Sequence, residues 1–337
     1  MTKRNQRGFS LIEMSVTLAI VSVLMIVVYS MIEQTLHVTM FNESHNELTL
    51  MSQKAVNSIY SELVQTRMVF QENALGASYR GALQLSSLFP AWTDSLLPVV
   101  QTSTVIAPDT STRFTGNSLL LVRQLEPVSV TYDHDGLANT PEIQFLADVY
   151  QFEYVYLTPV TTPAFGSSGY SLDLVMSTSI QYADYFQLSG VAPAPALGRL
   201  VQKLIARGLT HAWDPGQPLT SAFYTLAGAT DGTFNAALAN PRIDLATART
   251  LLPGLRGGRI SGRMEYSVGF GSYPLRTPIR LFAPVDAARP GFPSGFEIKI
   301  AGPMGSRQVM TRLVLMSHYG ARHYESQQAS AIIAGGF

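Results

Sequence analysis

The longest apolar run of the chain lies near its N-terminus, from Phe9 to Ile32, and Glu13 is its only charged residue. From Met14 to Ile32 there are 19 consecutive uncharged residues. As a helix at about 1.5 Å per residue they reach roughly 28 Å, close to the hydrocarbon thickness of a bilayer. This segment predicts a membrane-spanning helix. Beyond it the pattern turns amphipathic: Leu48, Met51, Ala55, Ile59 and Leu63 recur at three- and four-residue steps, while Glu47, Lys54, Asn57, Ser61 and Glu62 fill the other faces. Neither Gly nor Pro occurs between Phe9 and Leu75. One helix is therefore expected from about Phe9 to about Val69, roughly 90 Å long. Its first half is apolar all round, and its second half has one face that must pack on a partner.

From about Arg80 the periodicity changes to short β-rich runs separated by Gly, Pro and Ser clusters, which predicts an α+β layout. The strand candidates are Leu119 to Tyr132, Glu142 to Leu157, Ser171 to Leu188, Arg263 to Phe270, Pro278 to Phe282, Gly295 to Ala301 and Gln308 to Ser317. Tyr150, Phe152, Tyr154 and Tyr156 alternate with Gln151, Glu153 and Val155, giving one aromatic face that reads as core. Residues 191–198, VAPAPALG, read as a stiff connector, and Arg199 to Arg207 and Asn240 to Leu252 read as helices. The organisation expected is a leader at 1–8, a membrane half of the helix at 9–32, an amphipathic half at 33–70, and a β-rich head at 71–337 with an insertion at 190–252.

Composition sharpens this picture. The 337 residues include 46% apolar and only 14% charged residues, and no cysteine. Disulfides, Cys-ligated zinc, iron–sulfur clusters and thiol catalysis are thereby excluded, so the fold must hold by packing. Basic and acidic residues balance at 23 each, which rules out a polybasic role and points away from nucleic acid. The balance is uneven along the chain: 9–241 carries −10 and 242–337 carries +7, eleven of the twelve basic residues in the latter being Arg. Arg256, Arg259, Arg263, Arg276 and Arg280 among them could hold phosphates, or pair with the acidic part of the fold or with a neighbour.

Lys3, Arg4 and Arg7 precede the apolar run, and Glu33, Glu43 and Glu47 follow it. The positive-inside rule places the N-terminus in the cytoplasm and the bulk of the chain outside. The run is longer than a secretory signal, and no small-residue cleavage site follows it. A simple signal anchor leaves Glu13 unexplained, because an ionisable group in hydrocarbon costs several kcal/mol and marks a function.

Gly8 followed by Phe9-Ser10-Leu11-Ile12-Glu13-Met14, after a basic leader and before an apolar helix, resembles the class III signal of type IV prepilins and type II secretion pseudopilins. The resemblance implies cleavage between Gly8 and Phe9 by a prepilin peptidase and N-methylation of Phe9. It also implies a partner for Glu13, the N-terminal ammonium of a neighbouring subunit. The resemblance further implies the pilin body plan, an α+β fold in which a long N-terminal helix protrudes as a stem and packs its second half on an antiparallel β-sheet head. This head is larger than that of a typical major pilin and lacks its cysteine pair. The order of Ser61-Glu62-Leu63, Val130-Thr131-Tyr132 and Leu146-Ala147-Asp148-Val149 is loosely similar to large minor pilins and the larger minor pseudopilins.

Other chemistry is sparse. The histidines His37, His45, His134, His211, His318 and His323 have no HExxH spacing, and no G-x-S-x-G, Walker A or Rossmann pattern occurs. Gly254-Leu255-Arg256-Gly257-Gly258-Arg259 reads as a turn. If Gly136 is the sixth position of a calcium loop, Asp133, Asp135 and Glu142 take its third, fifth and twelfth places, although Thr131 is wrong for the first. The alternative is a β-hairpin turning at Asp135-Gly136.

The expectation is a non-enzymatic minor pilin or minor pseudopilin that primes, assembles or tips a type IV pilus or type II secretion pseudopilus. It requires no cofactor unless calcium binds the loop. The implied partners are other pilins, the prepilin peptidase and the inner-membrane assembly platform. The implied location is the inner membrane, single-pass with a periplasmic head, and then the filament. The competing expectation is a tip adhesin or DNA-uptake pilin that binds a surface or ligand through its head.

Overall fold

The computed structural model describes residues 10–83, 85, 96–101, 114–137, 140–159, 172–216, 222–229, 234–236, 243–252, 264–268, 296–303, 306–319 and 323–335. The chain divides into two compact units, Met1–Glu47 and Leu48–Phe337. Helix α1 (Leu11–Val64) is followed by β1 (Thr66–Val69), α2 (Ala74–Ala82) and the two-residue β2 (Val100–Gln101). Three long strands come next, β3 (Leu119–Tyr132), β4 (Ile143–Pro159) and β5 (Leu172–Asp184). Then follow α3 (Tyr185–Ser189), α4 (Ala194–Ala206), β6 (His211–Trp213), β7 (Phe223–Thr225) and β8 (Asn235–Ala236). The last strands are β9 (Ile243–Leu252), β10 (Met264–Val268), β11 (Phe296–Ala301), β12 (Arg307–Tyr319) and β13 (His323–Gly335).

The architecture is α+β. One sheet runs β1-β3-β4-β5-β6-β7-β8, with β9 also beside β5; a second runs β10-β12-β11-β2, with β13 on the other side of β12. All pairings are antiparallel except β5 with β6 and β11 with β2. Both sheets meet at one core. Ala55, Val56, Ile59 and Leu63 of α1 pack with Leu119, Leu121, Val155, Leu157, Leu174 and Met176 of the first sheet and with Phe296, Ile298, Ile300, Val309, Leu313 and Leu315 of the second. The three- and four-residue spacing of the apolar positions in α1 thus becomes a buried seam.

Alternation along β4 then decides the other layer. From Glu153 to Leu157 the odd positions face α1, and there Arg123 reaches Glu62 of the helix and, at 3.2 Å, the buried Glu153. Even positions supply Tyr150, Phe152, Tyr154 and Tyr156 to a second core with Phe70, Tyr79, Tyr182, Trp213 and Phe223. The aromatic face is core, as its pattern predicts. A third cluster lies under α4, where Leu197, Leu200, Val201 and Leu204 cover Val130, Tyr132, Ala147 and Val149.

Several boundaries differ from the sequence expectation. The first helix ends at Val64 and not at Val69: Gln65 N–H tightens onto Glu62 O at 3.2 Å and the Thr66 hydroxyl bonds the same carbonyl at 2.9 Å. Residues 66–69 are then taken by pairing with Arg123–Leu121 of β3, which outweighs their place in an unbroken helical pattern. Residues 243–252 form strand β9 against β5, not a helix. The Ala and Leu content imitated a helix, whereas Ile243, Thr247 and Thr250 are β-branched and fit the edge offered by β5. Within VAPAPALG the connector ends at Pro193, because Pro195 falls in the first turn of α4, where its missing N–H costs nothing. The strand candidate reaching Leu188 stops at Asp184, whose carboxylate accepts Gln187 N–H at 3.0 Å and starts α3. Strands β6 to β9 extend the first sheet through the region taken as an insertion. The candidate Pro278 to Phe282 lies outside the described residues.

Gly116 ties the two sheets together. Its N–H and C=O exchange hydrogen bonds with Ile298 of β11 at 2.9 and 2.8 Å. A Cβ at this position would lie 2.4 Å from Pro98 N and 2.7 Å from Leu97 C, both backbone atoms. Gly116→Ala is expected to destabilise the chain by roughly 1–3 kcal/mol or more through overpacking. Gly81→Ala, where nothing lies within 4 Å of the new methyl, should be neutral or slightly stabilising in α2. Parallel thermal melts of the two variants test the pair, and equal midpoints would contradict the account.

Candidate functional site at the N-terminal helix

Only one described helix is long and apolar enough to cross a membrane, over Leu11–Glu43, and no residue of its most apolar window is buried. Leu11 is 87% exposed and Tyr29 72%. So much apolar surface requires lipid or other helices around it. Its polar side chains are consistent with such surroundings. Ser15 bonds Ile12 O at 2.9 Å, Thr17 bonds Glu13 O at 2.7 Å, Ser22 bonds Leu18 O at 2.8 Å and Thr35 bonds Met31 O at 2.8 Å. Each hydroxyl is satisfied within its own helix, so it adds no unmet polar group to hydrocarbon.

Glu13 stands in the first turn of this helix. Its carboxylate Oε2 accepts the Ser10 N–H at 3.0 Å, and the Ser10 hydroxyl accepts the Glu13 N–H at 3.4 Å. The two residues form a capping box, in which two otherwise orphaned amide donors are satisfied reciprocally. Ser10 was not singled out by the sequence reading, although the S-x-x-E spacing before an apolar run was a signal for it. Gly8 and Phe9 lie outside the described residues. With a carboxylate held at its start, an apolar surface over its whole length and basic residues before it, this segment is built as an anchor whose N-terminal end offers one negative charge.

The family described as the prokaryotic N-terminal methylation motif matches residues 3–29. The chain carries a prepilin-type N-terminal motif. It is type IV pilin-like in this segment, and the prepilin motif implies processing by a prepilin peptidase and assembly with other pilin subunits. Proteins of the motif family are structural rather than enzymatic. Motif and apolar helix together indicate membrane anchoring. No curated protein and no solved structure matches the chain.

The other candidate residues are dispersed. Asp133, Asp135 and Glu142 lie in the loop joining β3 to β4, whose strands pair up to Tyr132 and Ile143. Asp133 Oδ1 accepts Gly136 N–H at 2.7 Å, and Gly136 takes a φ of +80°. Asp135 accepts Leu137 N–H at 2.9 Å and the Thr140 hydroxyl at 2.8 Å. The amide bond, then the hydroxyl bond, hold the Asp135 carboxyl below its ordinary range. Glu142 faces Lys203 of α4 at 3.8 Å. The Arg199 guanidinium, also on α4, donates to the carbonyls of Asp133 and His134 at 2.5 and 2.7 Å. Asp133 Oδ1, the Asp135 carboxylate, Glu142 and the carbonyls of Asp133 and His134 are thus engaged with amides, Thr140 and two cations from α4, and no group of three metal-ligating side chains gathers among the described residues. The pairing of β3 with β4 ends at Tyr132 and Ile143, so the hairpin does not turn in a tight two-residue turn at Asp135-Gly136.

His211 is half-buried, and burial lowers its pKa. His318 and His323 stand on adjacent strands, opposite Tyr324 and Tyr319. Arg256, Arg259, Arg263, Arg276 and Arg280 lie outside the described residues. Sequence reading missed the polar lining of the aromatic core. There Trp213 Nε1 donates to Tyr79 OH at 3.1 Å, and Tyr150 OH donates to Asp184 at 3.1 Å. Burial and then the Asp184 charge push the Tyr150 phenol up to about 12. These are core tyrosines held in their neutral form.

Proposed function

We propose that the chain is a minor type IV pilin or minor pseudopilin that takes part in priming, assembly or tip formation of a pilus or type II secretion pseudopilus. The observation that carries this reading is the prepilin-type motif at residues 3–29, continuous with an apolar helix in which Glu13 is the single early charge. On this reading the prepilin peptidase cuts between Gly8 and Phe9, Phe9 is N-methylated, and the subunit waits in the inner membrane with its β-rich head in the periplasm. The inner-membrane platform then draws it into the filament. The chain acts by association and carries out no catalysis. The large two-sheet fold and the absence of cysteine favour a minor component over a major one.

Mass spectrometry of the N-terminal peptide tests the reading. Protein extracted from membranes of a host with a prepilin peptidase is expected to begin at methylated Phe9. Retention of MTKRNQRG in that host would remove the pilin assignment.

A further inference from the structure

Among the described residues the first sheet has an open edge along most of β3. β1 pairs with β3 only at Leu121–Arg123, with two more backbone bonds at its ends, Phe70 N–H to Leu120 O at 2.9 Å and Gln124 N–H to Gln65 O at 3.2 Å. From Leu125 to Tyr132 no described strand lies on that side. Exposed edges are normally blunted by charge, proline or a bulge. Here Glu126 and Pro127, both exposed, supply all three at the irregularity between Leu125 and Val128. The five residues after them have no such guard. Val128-Ser129-Val130-Thr131-Tyr132 carries no charge, Pro or Gly, is rich in strand-forming side chains, and stays in regular register with Ala147–Ile143 of β4.

We propose that this edge pairs antiparallel with the same edge of a second copy of the chain, with Val130 opposite Val130 on a two-fold axis. The register follows from the residues. A centre at Ser129 would bring Pro127 into the ladder opposite Thr131, where proline cannot donate. A centre at Thr131 would set Ser129 opposite Asp133 and leave only 130–132 paired within the strand. A centre at Val130 pairs all five residues. Val128 then opposes Tyr132 on the face covered by α4, where both pack with its apolar cluster. Ser129 opposes Thr131 on the exposed face. Apolar side chains meet apolar ones and hydroxyls meet hydroxyls, the combinations that stabilise cross-strand pairs.

The flanks agree with this register. Pro127 comes level with Asp133 and Glu126 level with His134, so no carboxylate opposes another. Leu146 of β4 lies beside Ser129 on the exposed face and is 57% exposed. Such a pairing is isologous: each edge is used once and the pair closes. The inference does not rest on the filament reading, since it needs only two copies in one compartment.

The absence of cysteine makes the test clean, because each introduced thiol is unique. Ser129→Cys and Thr131→Cys both alter exposed positions, and reduced samples should melt like wild type. The full chain in detergent micelles is oxidised mildly as each variant alone and as an equal mixture of the two, one carrying a size tag. Directly opposed residues approach to about 4.5–5.5 Å between Cβ atoms and diagonal ones to about 7–8 Å, and only the former suits a disulfide. The mixed disulfide is expected in several-fold excess over either single-variant product. Equal yields in all three samples, a dominant product from one variant alone, or no product in any would each overturn the proposal.

Discussion

Phe152→Ala is expected to lower the unfolding free energy by about 3–5 kcal/mol, the range for removing a fully buried aromatic ring. Phe152 is fully buried, and its ring lies 5.3 Å from Trp213, 5.5 Å from Tyr182, 5.6 Å from Phe223, 5.9 Å from Tyr79 and 6.1 Å from Phe70, centroid to centroid. It therefore joins α2, β5, β6 and β7 to the central strand. The vacated space cannot close readily. Trp213 is tied to Tyr79 through its indole N–H, and the backbone of Phe152 itself is held by its N–H bond to Ser179 Oγ at 2.9 Å. The cost depends on how far a site can collapse, and these bonds oppose collapse. Phe152→Leu keeps most of the volume and should cost under about 2 kcal/mol. Thermal melts of the full chain in detergent, followed by circular dichroism, compare the two. A fall for Phe152→Ala no larger than for Phe152→Leu would show that the aromatic layer is loosely packed.

The same strand shows why part of the fold was legible. A period of two is written in Val128–Tyr132, where Val128, Val130 and Tyr132 alternate with exposed Ser129 and Thr131, and in Tyr150–Glu153, where Tyr150 and Phe152 alternate with Gln151 and Glu153. At Leu119–Val122 and Tyr154–Leu157, in contrast, both faces are core. The amphipathic half of α1 was legible for the corresponding reason at a helical period. What escaped were elements whose state is set by a partner distant in sequence. Residues 66–69 continue a helical pattern until β3 offers an edge, and Ile243–Leu252 is helix-like until β5 does. The strand β13 lies in a stretch, His323–Gly335, whose pattern gave no warning, and it is held by pairing along the length of β12. Arg199 could not be placed from sequence either, because the carbonyls it grips at Asp133 and His134 are 66 and 65 residues away. Glu13, in contrast, was legible from one feature: a single charge inside an apolar run.

That residue carries the largest functional effect expected of any single change. Glu13→Val should still insert in the membrane and be cleaved, because removing a charge from an apolar helix makes insertion easier. Filament formation or priming should fall by roughly an order of magnitude or more, since an ion pair in a low-dielectric bundle loses several kcal/mol when one partner is removed. In the chain by itself the carboxylate is engaged by its own helix start, Oε2 accepting the Ser10 N–H. Leader removal would then place a new ammonium at Phe9, about one helical turn away, and the same carboxylate can meet the ammonium of a neighbour. Two causes of an assembly defect must be separated. Loss of the cap alone costs only about 1 kcal/mol, so Ser10→Ala, which removes the capping hydroxyl and leaves the carboxylate, should assemble nearly as well as wild type. Glu13→Asp keeps the charge with a shorter reach and should lie between. Filament counts and co-purification with partner pilins measure all three variants at equal membrane levels. If Ser10→Ala is as defective as Glu13→Val, the carboxylate matters as a helix cap. If Glu13→Val assembles normally, it has no assembly role in this chain.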